Sequence, residues 1–166
     1  MKLVIITAMH VRSAMTRAFL AAMTRIRDEF DIQTYSVVTK DDDGNLDLLK
    51  EYGFPYIEYE NRPVGQKWNQ VVRFAGESDY THMMILGSDD FLSPALMDML
   101  INLMDGRSDM IGIIDCFFYN ARIKELSYFG GYTNRRKGES LDAYKERRKN
   151  ALGKKERANQ LLELLQ

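Results

Sequence analysis

The sequence predicts an α/β fold in which helices cover both faces of a mostly parallel sheet, and two observations lead to this prediction. Residues 3–7, Leu-Val-Ile-Ile-Thr, form a continuous apolar run, which is typical of a strand buried on both faces. Strand and helix patterns then alternate over the first 105 residues. Because parallel neighbours need crossover helices on the sheet faces, this alternation predicts a three-layer α/β/α domain.

Each element has its own local signal. Ser13 offers an N-cap, and apolar residues spaced by three and four follow it as far as Phe30, which predicts the first helix. Ser93 and Pro94 place a cap and then a proline where another helix should begin. Further strands are predicted at 34–38, 56–59, 81–86, 110–118 and 126–129, with helices at 46–52 and before Gly76. We expect the last two strands to be antiparallel.

Length and composition restrict the class of protein. A chain of 166 residues, 45% of them hydrophobic, can bury one sizeable core. Cys116 is the only cysteine, which excludes an internal disulfide and a cysteine-rich zinc site and favours a cytoplasmic location. No apolar run approaches the roughly 18 residues of a membrane span, so we expect no transmembrane segment.

Charge is unevenly distributed along the chain. The formal net charge of −1 argues against a wholly basic nucleic-acid binder, yet residues 134–157 hold ten Lys or Arg against four Asp or Glu. This segment is interpreted either as a solvated helical face or as a tail that faces an anion. We expect a domain at 1–132 and a basic helical C-terminal extension at 133–166 that packs on it.

Polar residues follow several predicted strands, and ligands of open parallel sheets bind beyond the carboxyl ends of the strands. These residues are Thr7, His10 and Arg12 after the first strand, Thr39 to Asp43 after the second, and Ser88, Asp89 and Asp90 after the fourth. The adjacent carboxylates of Asp89 and Asp90 repel each other unless a cation or polar ligand compensates their charge. They predict a Mg²⁺ or Mn²⁺ site that shares its ion with substrate phosphates. The alternative is that one carboxylate caps the following helix or faces water.

Two segments carry a resemblance to a known family. Residues 61–69, Asn-Arg-Pro-Val-Gly-Gln-Lys-Trp-Asn, and 83–90, Met-Met-Ile-Leu-Gly-Ser-Asp-Asp, resemble the nucleotide-sugar domain of family 2 glycosyltransferases with the GT-A fold. That family has an Asn, a Gly and a basic residue close to Asn before a helix, and a later strand that ends in Asp-x-Asp. The resemblance covers residues 1–132 and implies a GT-A-like fold with a Rossmann-like sheet.

Residue roles follow from the resemblance. Asp89 falls on the final, metal-binding Asp of Asp-x-Asp and Asp90 on the trailing Asp, whereas Gly87 takes the place of the first Asp and departs from the family. Donor contacts are expected from Thr7 and Ala8 at the nucleobase, from Lys67 and Asn69 facing the donor, and from Ser88. The family's base-reading Asp aligns either with Thr39 or with Asp43.

The implied reaction is the transfer of a hexose or pentose from a nucleotide-sugar donor, expected to be UDP-linked, to an acceptor of unassigned identity. Inversion would need a carboxylate base on the acceptor side, for which Glu139 and Asp115 are the candidates. The basic tail fits an anionic acceptor.

Two alternatives stay open. Gly87 in place of the first Asp and a length short for the family favour a non-catalytic module that binds a nucleotide, or a polyanion through the basic tail. A nucleotidyltransferase shares the fold type, but it usually has a Gly-rich basic loop directly after the first strand, and residues 7–12 contain no glycine.

Overall fold

A computed structural model describes residues 2–104, 110–113, 116–120, 122–129 and 140. The chain divides into two compact units, Met1–Ser108 and Asp109–Gln166. The predicted domain boundary between residues 132 and 133 lies outside the described residues, and it stays a prediction.

The first unit alternates strands and helices, as the sequence predicts. Its elements are β1 (Leu3–Met9), α1 (Ser13–Phe30), β2 (Gln33–Thr39), α2 (Asp43–Tyr52), β3 (Tyr56–Tyr59), α3 (Val64–Ala75), β4 (His82–Ile85) and α4 (Pro94–Leu103). The four strands form one parallel sheet in the order β3-β2-β1-β4. The prediction of an α/β fold with a parallel sheet flanked by helices is therefore confirmed.

Both faces of the sheet are covered. The core on the α3 face consists of Val4, Ile6, Val37, Val71 and Ala75. Ile5 and Met9, which alternate with these residues along β1, are also fully buried. Because α1 packs beside α2 and crossovers between parallel strands are right-handed, these two helices lie on the face opposite α3.

The strand order reverses beside β1. The chain runs outward from β1 to β2 and β3, and then returns to β4 on the other side of β1. Pairing between β1 and β4 extends from Leu3↔His82 to Ile6↔Ile85. Such a reversal opens a crevice at the carboxyl ends of the strands, where α/β proteins bind ligands. The loops after β1 and β4 flank this crevice.

The helix starts agree with the sequence in part. Ser93 caps α4 as predicted, since its hydroxyl accepts a hydrogen bond from the Leu96 amide at 3.2 Å. Ser13 is the first residue of α1 rather than its cap, and Arg12, with φ of 61°, takes the cap position. Of the helices in the described ranges, none is long and apolar enough to cross a membrane.

In the second unit the described strands form one antiparallel hairpin, as predicted. It joins β5 (Cys116–Asn120) to β6 (Glu125–Phe129). The prediction of a strand over 110–118 is wrong at its start, because pairing with β6 begins only at Cys116↔Phe129 and residues 110–113 lie outside any strand. An apolar run without a pairing partner does not form a strand, and Met110 is 91% exposed.

Candidate functional site

The loop after β4 brings two carboxylates together. Asp90 Oδ2 accepts a hydrogen bond from the Gly87 amide at 3.1 Å, which closes a tight turn. A Cβ atom on Gly87 would lie 2.7 Å from Asp90 Oδ2 and 3.3 Å from Asp89 Oδ1. Both carboxylates therefore converge on the space above Gly87. A side chain at position 87 would require the Asp90 carboxylate to move.

Arg12 supplies positive charge to this pair from the other side of the crevice. Its Nη1 atom lies 2.9 Å from Asp89 Oδ2. Both side chains are about half exposed, at 55% for Arg12 and 46% for Asp89. Ion pairs this exposed typically contribute only about 0.2–1 kcal/mol to stability. The pair links the loops after β1 and β4 but contributes little to their stability.

Two carboxylates fit a hard divalent cation when other oxygens, such as those of phosphates, complete its shell. Among the residues described, no group of three or more His, Cys, Asp or Glu side chains could hold a metal ion. An ion here would have Asp89 and Asp90 as protein carboxylates and would need further oxygen ligands from elsewhere. Mg²⁺ and Mn²⁺ are commonly bound in this way, through one or two carboxylates together with phosphates.

A strained turn after β1 directs Arg12 into the crevice. Val11 and Arg12 have φ of 48° and 61°, in the left-handed region that β-branched residues strongly avoid. Asp42 Oδ2 accepts a hydrogen bond from the Val11 amide at 2.7 Å, and Asn45 Nδ2 donates to the Val11 carbonyl at 2.9 Å. Asn45 is fully buried and also donates to Asp42 Oδ2 at 2.8 Å. Asp42 and Asn45 thus hold this turn, here called the Val11 turn.

A buried lysine joins the ends of three segments on the α3 side. The amine of Lys67 donates to the Met9 carbonyl at 2.5 Å, to Thr39 Oγ1 at 2.7 Å and to Asn61 Oδ1 at 3.2 Å. These acceptors lie at the end of β1, at the end of β2 and in the loop after β3. We call these four residues the Lys67 cluster.

The environment of Lys67 shifts its titration. The side chain is only 2% exposed. Burial lowers the pKa of Lys67 to about 8, and the nearby charge of Asp42 opposes this lowering. The amine is used within the chain, so Lys67 positions the loops around the crevice instead of lining an open surface.

His10 borders the Lys67 cluster. Its Nδ1 atom lies 2.9 Å from Thr39 Oγ1, and the donor of that contact depends on the imidazole tautomer. The hydroxyl of Thr39, one of the two residues that align with the base-reading Asp, is thereby committed to contacts within the chain.

The remaining predicted donor residues differ in accessibility. Thr7 is fully buried, and its hydroxyl has no hydrogen-bond partner among the described residues. Ser88 is buried and Ala8 half-buried, whereas Asp43 is exposed at the start of α2.

Asn69 does not join Lys67. The two residues are separated by two positions on α3, and side chains at that spacing point to nearly opposite sides of a helix. Lys67 is buried against the sheet, whereas Asn69 is exposed. Glu139 and Asp115, the two predicted candidates for the catalytic base, lie outside the described residues.

Sequence reasoning assigned no individual role to Asp42, Asn45 and Asn61. Their roles depend on the Val11 turn and on the Lys67 cluster, which combine residues distant in sequence. One signal for the cluster was present, since Lys67, Val71 and Ala75 follow each other at intervals of four on the buried side of α3. A lysine on the apolar stripe of a helix indicates a buried amine that needs acceptors.

Comparisons with known proteins add a fold-level likeness. Neither a protein-family model nor a curated protein matches this chain. The crystal structure of residues 1–349 of TarS from S. aureus, a glycosyltransferase, is similar to it with a TM-score of 0.52 and 14% sequence identity. The similar region covers 64% of this chain and 33% of that chain, so this chain spans about a third of the TarS structure. At this identity the likeness shows the fold, and the chain has a glycosyltransferase-like fold.

Proposed function

We propose that this chain is a glycosyltransferase that binds a nucleotide-sugar donor in the crevice between the loops after β1 and β4. The observation that carries the proposal is the convergence of Asp89 and Asp90 above Gly87, at the carboxyl end of a strand beside the reversal of strand order. The glycosyltransferase-like fold supports it. The acceptor is left open, and the excess of Lys and Arg in residues 134–157 fits an anionic one.

In this proposal, each part of the site has a separate task. Asp89 and Asp90 would hold Mg²⁺ or Mn²⁺, which would offset the charge of the departing diphosphate. The Val11 turn keeps Arg12 beside the same space, and the Lys67 cluster keeps the ends of β1 and β2 together. Glu139 and Asp115 remain the proposed candidates for the base that takes the proton of the acceptor hydroxyl.

The cation requirement is tested by calorimetric titration of UDP into the full chain, with Mn²⁺ and with EDTA. We expect the affinity of wild-type protein for UDP to be at least about tenfold higher with Mn²⁺ than with EDTA, because charge-assisted contacts contribute about 1.5–3 kcal/mol. Asp89→Asn should lose this difference, since its amide is a poor ligand for a hard cation.

Asp79→Asn is the matched control. Asp79 is an exposed carboxylate that pairs with Lys2 just before the amino end of β1. Its replacement should leave the Mn²⁺ dependence intact. Equal UDP binding by wild-type protein in Mn²⁺ and in EDTA would refute the cation requirement, and the absence of any UDP binding would refute the donor site.

A further inference from the structure

We propose that Arg12 occupies the place of the cation at Asp89 and turns to the donor diphosphate when cation and donor bind. This inference rests on the proposed function and adds a residue to it. Its starting point is the contact between Arg12 Nη1 and Asp89 Oδ2 at 2.9 Å, while the Oδ1 atom of the same carboxylate lies 3.3 Å from where a Cβ on Gly87 would be. Arg12 is therefore both the compensating charge of the carboxylate pair and the competitor of any cation there.

The two oxygens of the Asp89 carboxylate face different neighbours. Its Oδ2 atom contacts Arg12, while its Oδ1 atom, like Asp90 Oδ2, borders the space that a Cβ on Gly87 would take. A divalent cation on these carboxylates would stand close to the guanidinium and would repel it. Binding of the cation and retention of the Arg12–Asp89 pair therefore oppose each other.

The main chain of Arg12 is fixed, but its side chain is not. Asp42 and Asn45 hold Val11 on one side, and the Arg12 carbonyl accepts from the amides of Met15 at 2.9 Å and Thr16 at 3.0 Å on the other. The side chain ends in a half-exposed ion pair, which is readily exchanged. If a cation displaces the Arg12 guanidinium from Asp89, the fixed main chain therefore keeps it at the edge of the crevice.

Phosphate is the partner that such a guanidinium fits. Its planar fork of donors matches phosphate oxygens in a bidentate arrangement, which an ammonium group cannot reproduce. A diphosphate that shares a cation with Asp89 and Asp90 would bring its oxygens next to Arg12. Arg12 therefore weakens binding of the cation when no donor is present, and it strengthens binding of the donor once the cation is in place.

The test measures Mn²⁺ and UDP separately on the full chain. Without nucleotide, the electron paramagnetic resonance signal of free Mn²⁺ reports its binding, and we expect Arg12→Gln to tighten it about two- to fivefold, the scale of an exposed ion pair. With saturating Mn²⁺, calorimetry should show UDP binding weakened by roughly tenfold, the scale of a lost charge-assisted contact. The opposite signs distinguish this role from loss of structure.

Arg17→Gln is the matched control. Arg17 lies on α1 and pairs with Glu51 at 2.7 Å, with exposures of 54% and 53% that resemble those of the Arg12–Asp89 pair. Its replacement removes the same charge and should change neither measurement. Arg12→Lys should keep the wild-type affinity for Mn²⁺ and still weaken UDP, because the charge remains while the fork is lost.

Several results would overturn the inference. One is Mn²⁺ binding that is unchanged or weaker in Arg12→Gln. Another is tighter Mn²⁺ binding by the variant that combines Arg12→Gln with Asp89→Asn than by Asp89→Asn alone. Failure of the proposed function is recognised differently, by wild-type protein that binds no UDP in Mn²⁺. If wild-type protein binds UDP in Mn²⁺ but Arg12→Gln has an unchanged Mn²⁺ affinity, this inference is refuted and the proposed function is not.

Discussion

Lys67→Met is expected to lower the free energy of unfolding by about 3 kcal/mol. The substitution removes the amine that donates to the Met9 carbonyl, Thr39 Oγ1 and Asn61 Oδ1. The Thr39 hydroxyl can then donate to only one of the other two, the Met9 carbonyl at 3.2 Å or Asn61 Oδ1 at 3.4 Å. A buried polar group left without a partner costs about 1–3 kcal/mol, and at least one of these acceptors loses its donor. Urea unfolding followed by circular dichroism measures the loss.

Lys50→Met is the control for removal of a lysine charge. Lys50 is exposed on α2 and lies 3.8 Å from Asp47, a surface pair expected to contribute less than about 0.5 kcal/mol. Equal losses in the two variants would show that the Lys67 cluster does not hold the loops together.

The same variant gives a pH dependence with a defined sign. The pKa of Lys67 is lowered to about 8 in the folded chain, against roughly 10.4 in an unfolded one. Between these values the unfolded state binds more protons, so stability rises with pH across this window. We expect the stability of wild-type protein relative to Lys67→Met to be flat below pH 8 and to rise by about 1–3 kcal/mol towards pH 10. A fall over the same range would contradict the burial of a charged amine.

Asp42→Ala is expected to lose about 2 kcal/mol of stability and most of the affinity for UDP. The substitution removes the carboxylate that accepts from the Val11 amide and from Asn45 Nδ2, and hydrogen bonds to charged groups contribute about 1.5–3 kcal/mol. The Val11 turn then loses its support and Arg12 leaves the crevice. Calorimetry with UDP and Mn²⁺ should show a loss of roughly tenfold or more, since a charge-assisted contact is lost.

Asp43→Ala separates positioning from direct contact. Asp43 is the exposed neighbour of Asp42 and contributes to stability only through the first turn of α2, about 0.3–1 kcal/mol. If Asp43 reads the nucleobase, its replacement weakens UDP binding at nearly unchanged stability. Equal stability losses for both variants would contradict the special role of Asp42.

The alternation of strands and helices could be read from the sequence because each element carries a local signal. The run at 3–7 predicts a strand buried on both faces, and Ser93 with Pro94 predicts a helix start. The strand and the helix start are both confirmed. Limits of elements were less predictable. Helix α2 begins at Asp43 rather than Leu46, because the Asp42 carbonyl accepts from the Asn45 and Leu46 amides at 3.0 Å within an otherwise polar stretch.

The position of the carboxylate pair was predictable from the end of a strand. Asp89 and Asp90 lie just beyond the carboxyl end of β4, because the strand ends at Ile85 and the apolar run ends at Leu86. The pairing of Arg12 with Asp89 joins residues 77 positions apart, and it depends on a strand order and a strained turn that no local pattern encodes. The position of Lys67 was predictable in part. Its helical spacing indicated that it lies on the buried side of α3, but it did not indicate the three acceptors.

The location of the cation and the nucleotide is the most direct test of the donor site. With ¹⁵N-labelled protein and a small fraction of Mn²⁺ together with UDP, paramagnetic broadening of amide signals maps the ion. We predict that the amides of Gly87, Asp89, Asp90 and Arg12 broaden first, while those at the amino ends of the strands, such as Leu3 and Gln33, broaden least. Broadening centred on any other part of the chain, or an unchanged spectrum with UDP and Mn²⁺, would contradict a donor site between the loops after β1 and β4.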